Sequence, residues 1–413
     1  MLRRPSASAI STRTSMLTLA ARMSRAKPSA IMIVADKARK LKAAGRDIIN
    51  FSIGVPNFLP GPHVYDAARE ALKKDSGQYG SNRGDVALLD AFIRHLDEGG
   101  LTGYTRDNVA VAIGAKHVLY NLAEALLDTG DTIAFAVPYW TTYIDIAEIL
   151  DAKAKLLPCP ASQNYKLTPS QLDAALPGVK VFLFNNPCNP TGMVYTKDEI
   201  AALADVLVKH PDTWVICDDI YNRMVFDGVG YHNFVNARPE LRDRVIQVDS
   251  LSKTYGMPGW RVGFVAGPET VAKAVVTLNS NHITNLPEIV TAAAVAALTG
   301  PQDIPKAKCA EFQAKRDQVL AAVTSIPGVV CPRPEGAFYV FPDVSIAFGK
   351  SHEGRKIAND VDLCAALLEA KGVACVPGSA FGEPKALRIS YTCPTDQLAE
   401  GLRRFVEFFA ELK

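Results

Sequence analysis

The stretch DSLSKTYGMPGWRVGF (Asp249–Phe264) decides the reading of this chain. It follows an apolar, strand-like run, Val245–Val248, and passes into a second one, Val262–Val265. Between them stands one lysine, Lys253, with Ser250 and Ser252 before it and Arg261 eight residues after it, spaced by Gly256 and Gly259. Hydroxyl donors and a guanidinium suit a phosphate. A lysine amine kept partly deprotonated by burial or by nearby positive charge suits a Schiff base. The glycines let the backbone approach a ligand closely. The plain alternative is a surface lysine in a Gly/Pro turn, the fate of most lysines.

Working outward, helical and strand-like segments alternate from about residue 64. Val64–Lys74 and Val86–Leu96 have helical spacing, Val109–Ile113 reads as a strand, and Leu119–Leu127 as a helix. Thr132–Ala136 is again strand-like and Tyr143–Leu150 helical. Val179–Phe184 and Trp214–Cys217 are short apolar runs bounded by turn residues, as buried strands are. Such alternation predicts an α/β fold with a central, mostly parallel sheet covered by helices on both faces. After Gly300-Pro301 the texture changes. A long helix (Ile304–Val323) leads to strand-like Val329–Cys331 and Ala337–Val340, helix Val361–Glu369, strands Val373–Val376 and Ala386–Ser390, and a last helix to Leu412. The expected division is a large domain over 61–300, a smaller α+β domain made of 24–60 and 301–413, and an N-terminal extension over 1–23.

Composition narrows the function classes. The chain has 413 residues, 48% hydrophobic and 21% charged, the usual balance of a soluble globular protein. A formal net charge of +2 gives no reason to expect a nucleic-acid or membrane partner. The eight cysteines are scattered without a CxxC, which argues for free thiols in a reducing compartment and against a structural zinc or disulfide framework; no metal is expected. The apolar run Ile289–Leu298, broken by Thr291, is too short to span a bilayer. The first acid is Asp36. Arg3, Arg4, Arg13, Arg22 and Arg25 lie among serines and threonines, a composition that fits either an organelle transit peptide or a disordered extension. The expected location is cytoplasmic, or an organelle matrix if residues 1–22 are a targeting segment.

Ligands of open α/β sheets bind at the carboxyl ends of strands. Polar residues there are Gly114-Ala115-Lys116, Asn185 to Gly192, Asp218 to Tyr221 and Asp249 to Lys253. Together they resemble the motifs of the class I, fold-type I pyridoxal-phosphate aminotransferases, in order, from about residue 24 to the C-terminus; the likeness is greatest to the bacterial aspartate and prephenate subgroup. The resemblance implies that fold, pyridoxal 5'-phosphate as cofactor, and Lys253 as its Schiff-base lysine and catalytic base. In NNPCNPTG it assigns Asn189 to the cofactor's phenolic oxygen and the substrate. In CDDIYNRM it assigns Asp218 to the ring nitrogen and Tyr221 to the ring oxygen. A buried anion would keep that nitrogen protonated. Neighbouring Asp219 points to the other side of the strand by alternation. Ala115 and Lys116 open a helix whose N–H groups seat the phosphate, with Ser250 and Arg261. Trp140 stacks on the ring, and Tyr79 reaches the neighbouring subunit's cofactor, which implies a homodimer with shared active sites. Arg388, in LRISY, would take the substrate α-carboxylate as a bidentate fork, beside a backbone contact from Gly54.

The resemblance also implies ping-pong transfer of an amino group from an L-amino acid to a 2-oxo acid, 2-oxoglutarate serving as acceptor. Lys116, facing a distal carboxylate, favours aspartate. Two departures leave aromatic, alanine and branched-chain donors open. Gly54-Val55-Pro56-Asn57-Phe58 lacks two carboxylates usual in the subgroup, and HITNLPEIVTAAA (His282–Ala294) is more apolar than usual. A carbon–sulfur lyase on the same fold is the enzymatic alternative. A DNA-binding regulator is the non-enzymatic one, and the residues before residue 24 are too few for a helix-turn-helix domain.

Overall fold

The computed structural model describes residues 18–74 and 77–413. Most of the predicted 1–23 extension therefore lies outside the described residues. A two-residue strand, β1 (Ile49–Asn50), precedes the main sheet. That sheet comprises β2 (Val109–Ala112), β3 (Thr132–Val137), β4 (Lys153–Pro158), β5 (Val181–Asn185), β6 (Trp214–Asp218), β7 (Val245–Ser250) and β8 (Gly263–Ala266). Their order is β2-β8-β7-β6-β5-β3-β4. Strands β3 to β7 pair in parallel, while β8 runs antiparallel to both β7 and β2. The mostly parallel sheet expected from the alternation is present. Its one reversal comes from the short Lys253 segment, which is too brief for a crossover and returns the chain directly alongside β7.

Period-two alternation explains why both faces are covered. Leu183, Ile216, Ile246, Val248 and Val265 enter one hydrophobic cluster. Phe182, Phe184, Val215, Val245 and Phe264 enter the other. A strand apolar on both faces must be buried on both. Fully burying each such side chain contributes about 1.5–3 kcal/mol. Helix Val86–Glu98 covers the second face, with Phe92 stacked on Phe264 at a ring separation of 4.2 Å.

Further along lie β9 (Tyr339–Val340), β10 (Ser351–His352), β11 (Arg355–Lys356), β12 (Val373–Ala374), β13 (Val376–Pro377) and β14 (Leu387–Ser390). β13, β14 and β9 form an antiparallel sheet, and β12 pairs in parallel with β1. The last helix, Thr395–Ala410, buries Leu398, Leu402, Phe405 and Phe409, one stripe at helical spacing.

Several expectations need correction. Val329–Cys331 is not a strand; Val330 makes only an isolated bridge to Asp343. The strand expected at Val373–Val376 is two strands with different partners. Ala337 takes a left-handed backbone (φ 55°), so the strand expected from Ala337 starts only at Tyr339. Strand β4, KAKLLP, carries lysines at the edge of the sheet and gave no apolar run to read.

Candidate active site

The carboxyl ends of β5, β6 and β7 converge. In the β5–β6 register Asn185 lies beside Asp218, and in the β7–β8 register Ser250 lies beside Gly263. Asn185 Nδ2 donates to the Asp218 carbonyl at 2.7 Å, and its Oδ1 accepts the Asn189 N–H at 2.8 Å. One amide thus fastens the Asn189 loop to β6. Asp218 is 1% exposed. Its Oδ2 accepts the Tyr143 hydroxyl at 2.5 Å, while Oδ1 has no partner. Burial pushes its carboxyl up to about 6, opposed by the Tyr143 bond. Asp219 turns to the other side of the sheet, where the Tyr231 phenol meets it.

Lys253 Nζ donates to the Gly54 carbonyl at 2.8 Å and lies 5.9 Å from the Tyr221 ring and 5.7 Å from the Phe338 ring. Burial first, then the Arg388 charge, lower its amine to about 8. That leaves an appreciable neutral fraction at neutral pH. Tyr221 Oη bonds the Tyr339 hydroxyl at 2.8 Å.

Arg388 is 1% exposed. Its Nη1 donates to Asn189 Oδ1 at 3.0 Å and its Nη2 to the Ser52 carbonyl at 2.6 Å. Its guanidinium lies 4.6 Å from the Tyr339 ring and 4.9 Å from the Phe381 ring. Nε has no partner, and among the described residues no carboxylate comes within 4.0 Å of the group. A guanidinium buried on neutral partners retains unused donors for a carboxylate.

Gly114 (φ 88°) begins helix Ala115–Leu126 and supplies no side-chain cap. The first-turn N–H groups of Ala115 and Lys116 are accordingly left for another acceptor. A Cβ on Gly263 would collide with the Gly114–Ala115 backbone, so only glycine lets β8 approach this turn. Arg261, itself left-handed (φ 58°), donates to the Pro258 and Ile113 carbonyls at 2.9 and 3.2 Å beside the same turn. The Ser250 hydroxyl, on β7, accepts the Ser252 N–H at 3.3 Å. Trp140 packs edge-on against Tyr143, ring centroids 5.6 Å apart, and Lys116 Nζ lies 5.1 Å over the Trp140 ring.

The family model for aminotransferase class I and II matches residues 46–405. The chain belongs to that family. This aminotransferase is 39% identical to the aspartate/prephenate aminotransferase of Cereibacter sphaeroides, over 96% of its own chain and 100% of the relative. It is 34% identical to the aspartate aminotransferase of Geobacillus stearothermophilus, covering 95% and 99% of the two chains. The crystal structure of the aspartate aminotransferase from Rhizobium meliloti superposes with a TM-score of 0.92 at 37% identity, covering 96% of this chain and 100% of that one.

The family's cofactor is pyridoxal phosphate, and the residues present fit it. The aminotransferase holds an unpartnered buried carboxylate oxygen on Asp218, an amine lowered by burial at Lys253, and an uncapped helix start beside Arg261. Tyr79 is the predicted residue that stands apart. It is 87% exposed, on a cavity wall with Asn82, Asn285 and Leu286, and not among the groups around Lys253.

Sequence reasoning missed Asn185, Tyr143 and Tyr339. Tyr143 lies one helical turn beyond Trp140 in VPYWTTY, and that spacing was a usable signal. Tyr339 meets Tyr221 across 118 positions, and nothing local marks it.

Proposed function

We propose that this aminotransferase moves the amino group of an L-amino acid, aspartate favoured, to a 2-oxo acid such as 2-oxoglutarate. The observation that carries the reading is Arg388, a buried guanidinium with spare donors and neutral partners, suited to a substrate α-carboxylate. Relatives named for aspartate and prephenate support the donor class. Lys116, above the Trp140 face, is the cation assigned to a distal carboxylate.

When bound, pyridoxal phosphate supplies an electron sink for charge developing at the substrate Cα. The protein's residues do the rest. Ala115 and Lys116 N–H groups, Ser250 and Arg261 hold the phosphate. Asp218 keeps a proton on the ring nitrogen, and Asn189 and Tyr221 bond the ring oxygen. Trp140 covers the ring face, and Gly54 lines the substrate side. Lys253 carries the cofactor and its Nζ moves the Cα proton. Tyr79, exposed on its own subunit, serves the site of a second copy in a homodimer. The same reading divides the chain into a large domain over 61–300 and a small one over 24–60 and 301–413. The sheet within residues 109–266 and the separate sheet within 339–390 support that division. Among the described residues no helix is long and apolar enough to cross a membrane; with bacterial relatives this supports a cytoplasmic location.

The test is a panel of amino donors against 2-oxoglutarate. Aspartate should give the highest kcat/KM, with parallel lines in a two-substrate plot. Pyruvate and ammonia released from a single amino acid without an acceptor would instead establish a lyase.

A further inference from the structure

Alternation along the central strands separates two polar groups. Asn185, Asp218 and Ser250 share the parity of Leu183, Ile216 and Val248, and so lie on the sheet face of the first cluster. Cys217, Gln247 and Asp249 share the parity of Val215 and Val245, on the face away from Lys253's partners. A buried carboxylate there, 5% exposed, needs a reason.

Asp249 has three donors from three parts of the chain. Its Oδ1 accepts the Ser250 N–H at 2.6 Å. Its Oδ2 accepts Asn222 Nδ2 at 2.9 Å and faces His95 Nε2 at 3.3 Å. Ser250 opens the loop that carries Lys253. Asn222 directly follows Tyr221 in the turn after Asp218. His95 belongs to helix Val86–Glu98, and its ring lies between Phe92 and Tyr255, with centroids at 6.3 and 6.4 Å. The His95 carbonyl in turn accepts Arg223 Nη2 at 3.0 Å, from the same turn as Asn222.

We propose that Asp249, held by His95 and Asn222 behind the sheet, is a positioning residue that fixes the Lys253 loop against the loop carrying Asp218 and Tyr221. The backbone joins the two strand ends at Asp219 N–H to the Val248 carbonyl, 2.9 Å, and one residue further along β7 the Asp249 carboxylate ties the start of the Lys253 loop to Asn222 in the neighbouring turn. Its charge also acts through the strand, raising the proton affinity of Asp218. The inference rests on the reading of Lys253 and Asp218 as cofactor residues.

The test uses Asp249→Ala and Asp249→Asn holoenzymes, compared by cofactor retention, the pH titration of the bound cofactor's visible absorbance, kcat, KM and melting temperature. Asp249→Ala should release cofactor and lower kcat by about tenfold or more, with donor KM within about twofold, as expected for lost positioning rather than lost substrate binding. Its absorbance titration should shift. Asp249→Asn should recover part of the loss, since its amide oxygen still accepts the Ser250 N–H. A lower melting temperature with unchanged retention, absorbance and kcat would overturn the proposal by leaving Asp249 a purely structural role. If Asp249→Ala does not fold, Asn222→Ala decides: a smaller change in the same direction supports positioning, and an unchanged spectrum and retention reject it. Lys253→Ala is the separate control; a covalent cofactor adduct surviving there would refute the cofactor reading itself, whatever Asp249 does.

Discussion

Among the described residues two arginines are almost wholly buried, and they are buried differently. Arg316 is 0% exposed and fully answered by anions: Nη1 and Nη2 meet Asp227 at 2.9 and 2.8 Å, and Nε meets Asp317 at 2.8 Å. It also donates to the Pro334 carbonyl. Arg388, 1% exposed, has only an amide oxygen, a carbonyl and two ring faces. A charge removed from water and matched by anions is structural. One removed from water and left on neutral dipoles raises the free energy of the fold and is suited to an anion that arrives from outside. Asp218, with one oxygen unpartnered, is the anionic counterpart of Arg388.

Removing each arginine should break this contrast most visibly. Arg316→Ala leaves Asp227 without its main partner, and urea unfolding should show a loss of about 3–5 kcal/mol. Donor KM per folded molecule should change little. Arg388→Ala should do the reverse, with kcat/KM for any amino donor falling about 10²–10³-fold, as for loss of a charge-assisted fork, and little loss of stability. If Arg388→Ala instead unfolds the protein while sparing KM, the contrast fails.

Asp218→Asn sharpens the same idea through linkage. Its native carboxyl titrates near 6, above the usual 3.8, so the native state binds the proton more tightly than the unfolded chain does. Stability therefore falls as pH rises from about 4 to 6 and stays reduced above that. At pH 8 the cofactor-free Asn variant should be more stable than the parent by about 1–3 kcal/mol, the gain vanishing below about pH 4. Activity should fall sharply. Equal melting temperatures at pH 8 would show that the carboxylate carries no such cost.

Lys116 is an intermediate case: its amine faces the Trp140 ring, and partial desolvation there lowers it against the opposing charge of Asp145. Lys116→Ala should raise the KM for aspartate about five- to thirtyfold more than the KM for phenylalanine, the worth of a charge-assisted contact. Equal effects would remove its role in donor choice. The smallest expected effect is a slope. Lys253 loses its proton near pH 8, so cofactor uptake by the cofactor-free protein should quicken about tenfold per pH unit below 8 and level off above it. A flat profile would mean that the amine is not the reacting group.

Much of the sheet was legible because buried parallel strands are short, apolar and bounded by turns, as at Val181–Asn185 and Val245–Ser250. Strand Lys153–Pro158 was not legible, since an edge strand carries lysines. The site divides in the same way. Lys253, Asn189, Asp218 and Arg388 sit in local motifs. Tyr339 and Asn185 earn their places only by meeting Tyr221 and the Asp218 carbonyl in space.

Alone, the sequence determined the alternation of elements, the lysine after the end of one strand and the carboxylate at the end of the strand before it, because periodicity and turn chemistry are local. Only the tertiary structure decided which charges are answered. In the sequence Arg316 lies between Lys315 and Asp317 in a helical stretch, and Arg388 lies in an apolar strand. Of the two anions that make Arg316 structural, Asp317 is its chain neighbour, but Asp227, which takes both Nη atoms, stands 89 positions away, and for Arg388 no described residue supplies one. Charge compensation is a property of distances across the fold, which residue spacing along the chain does not encode.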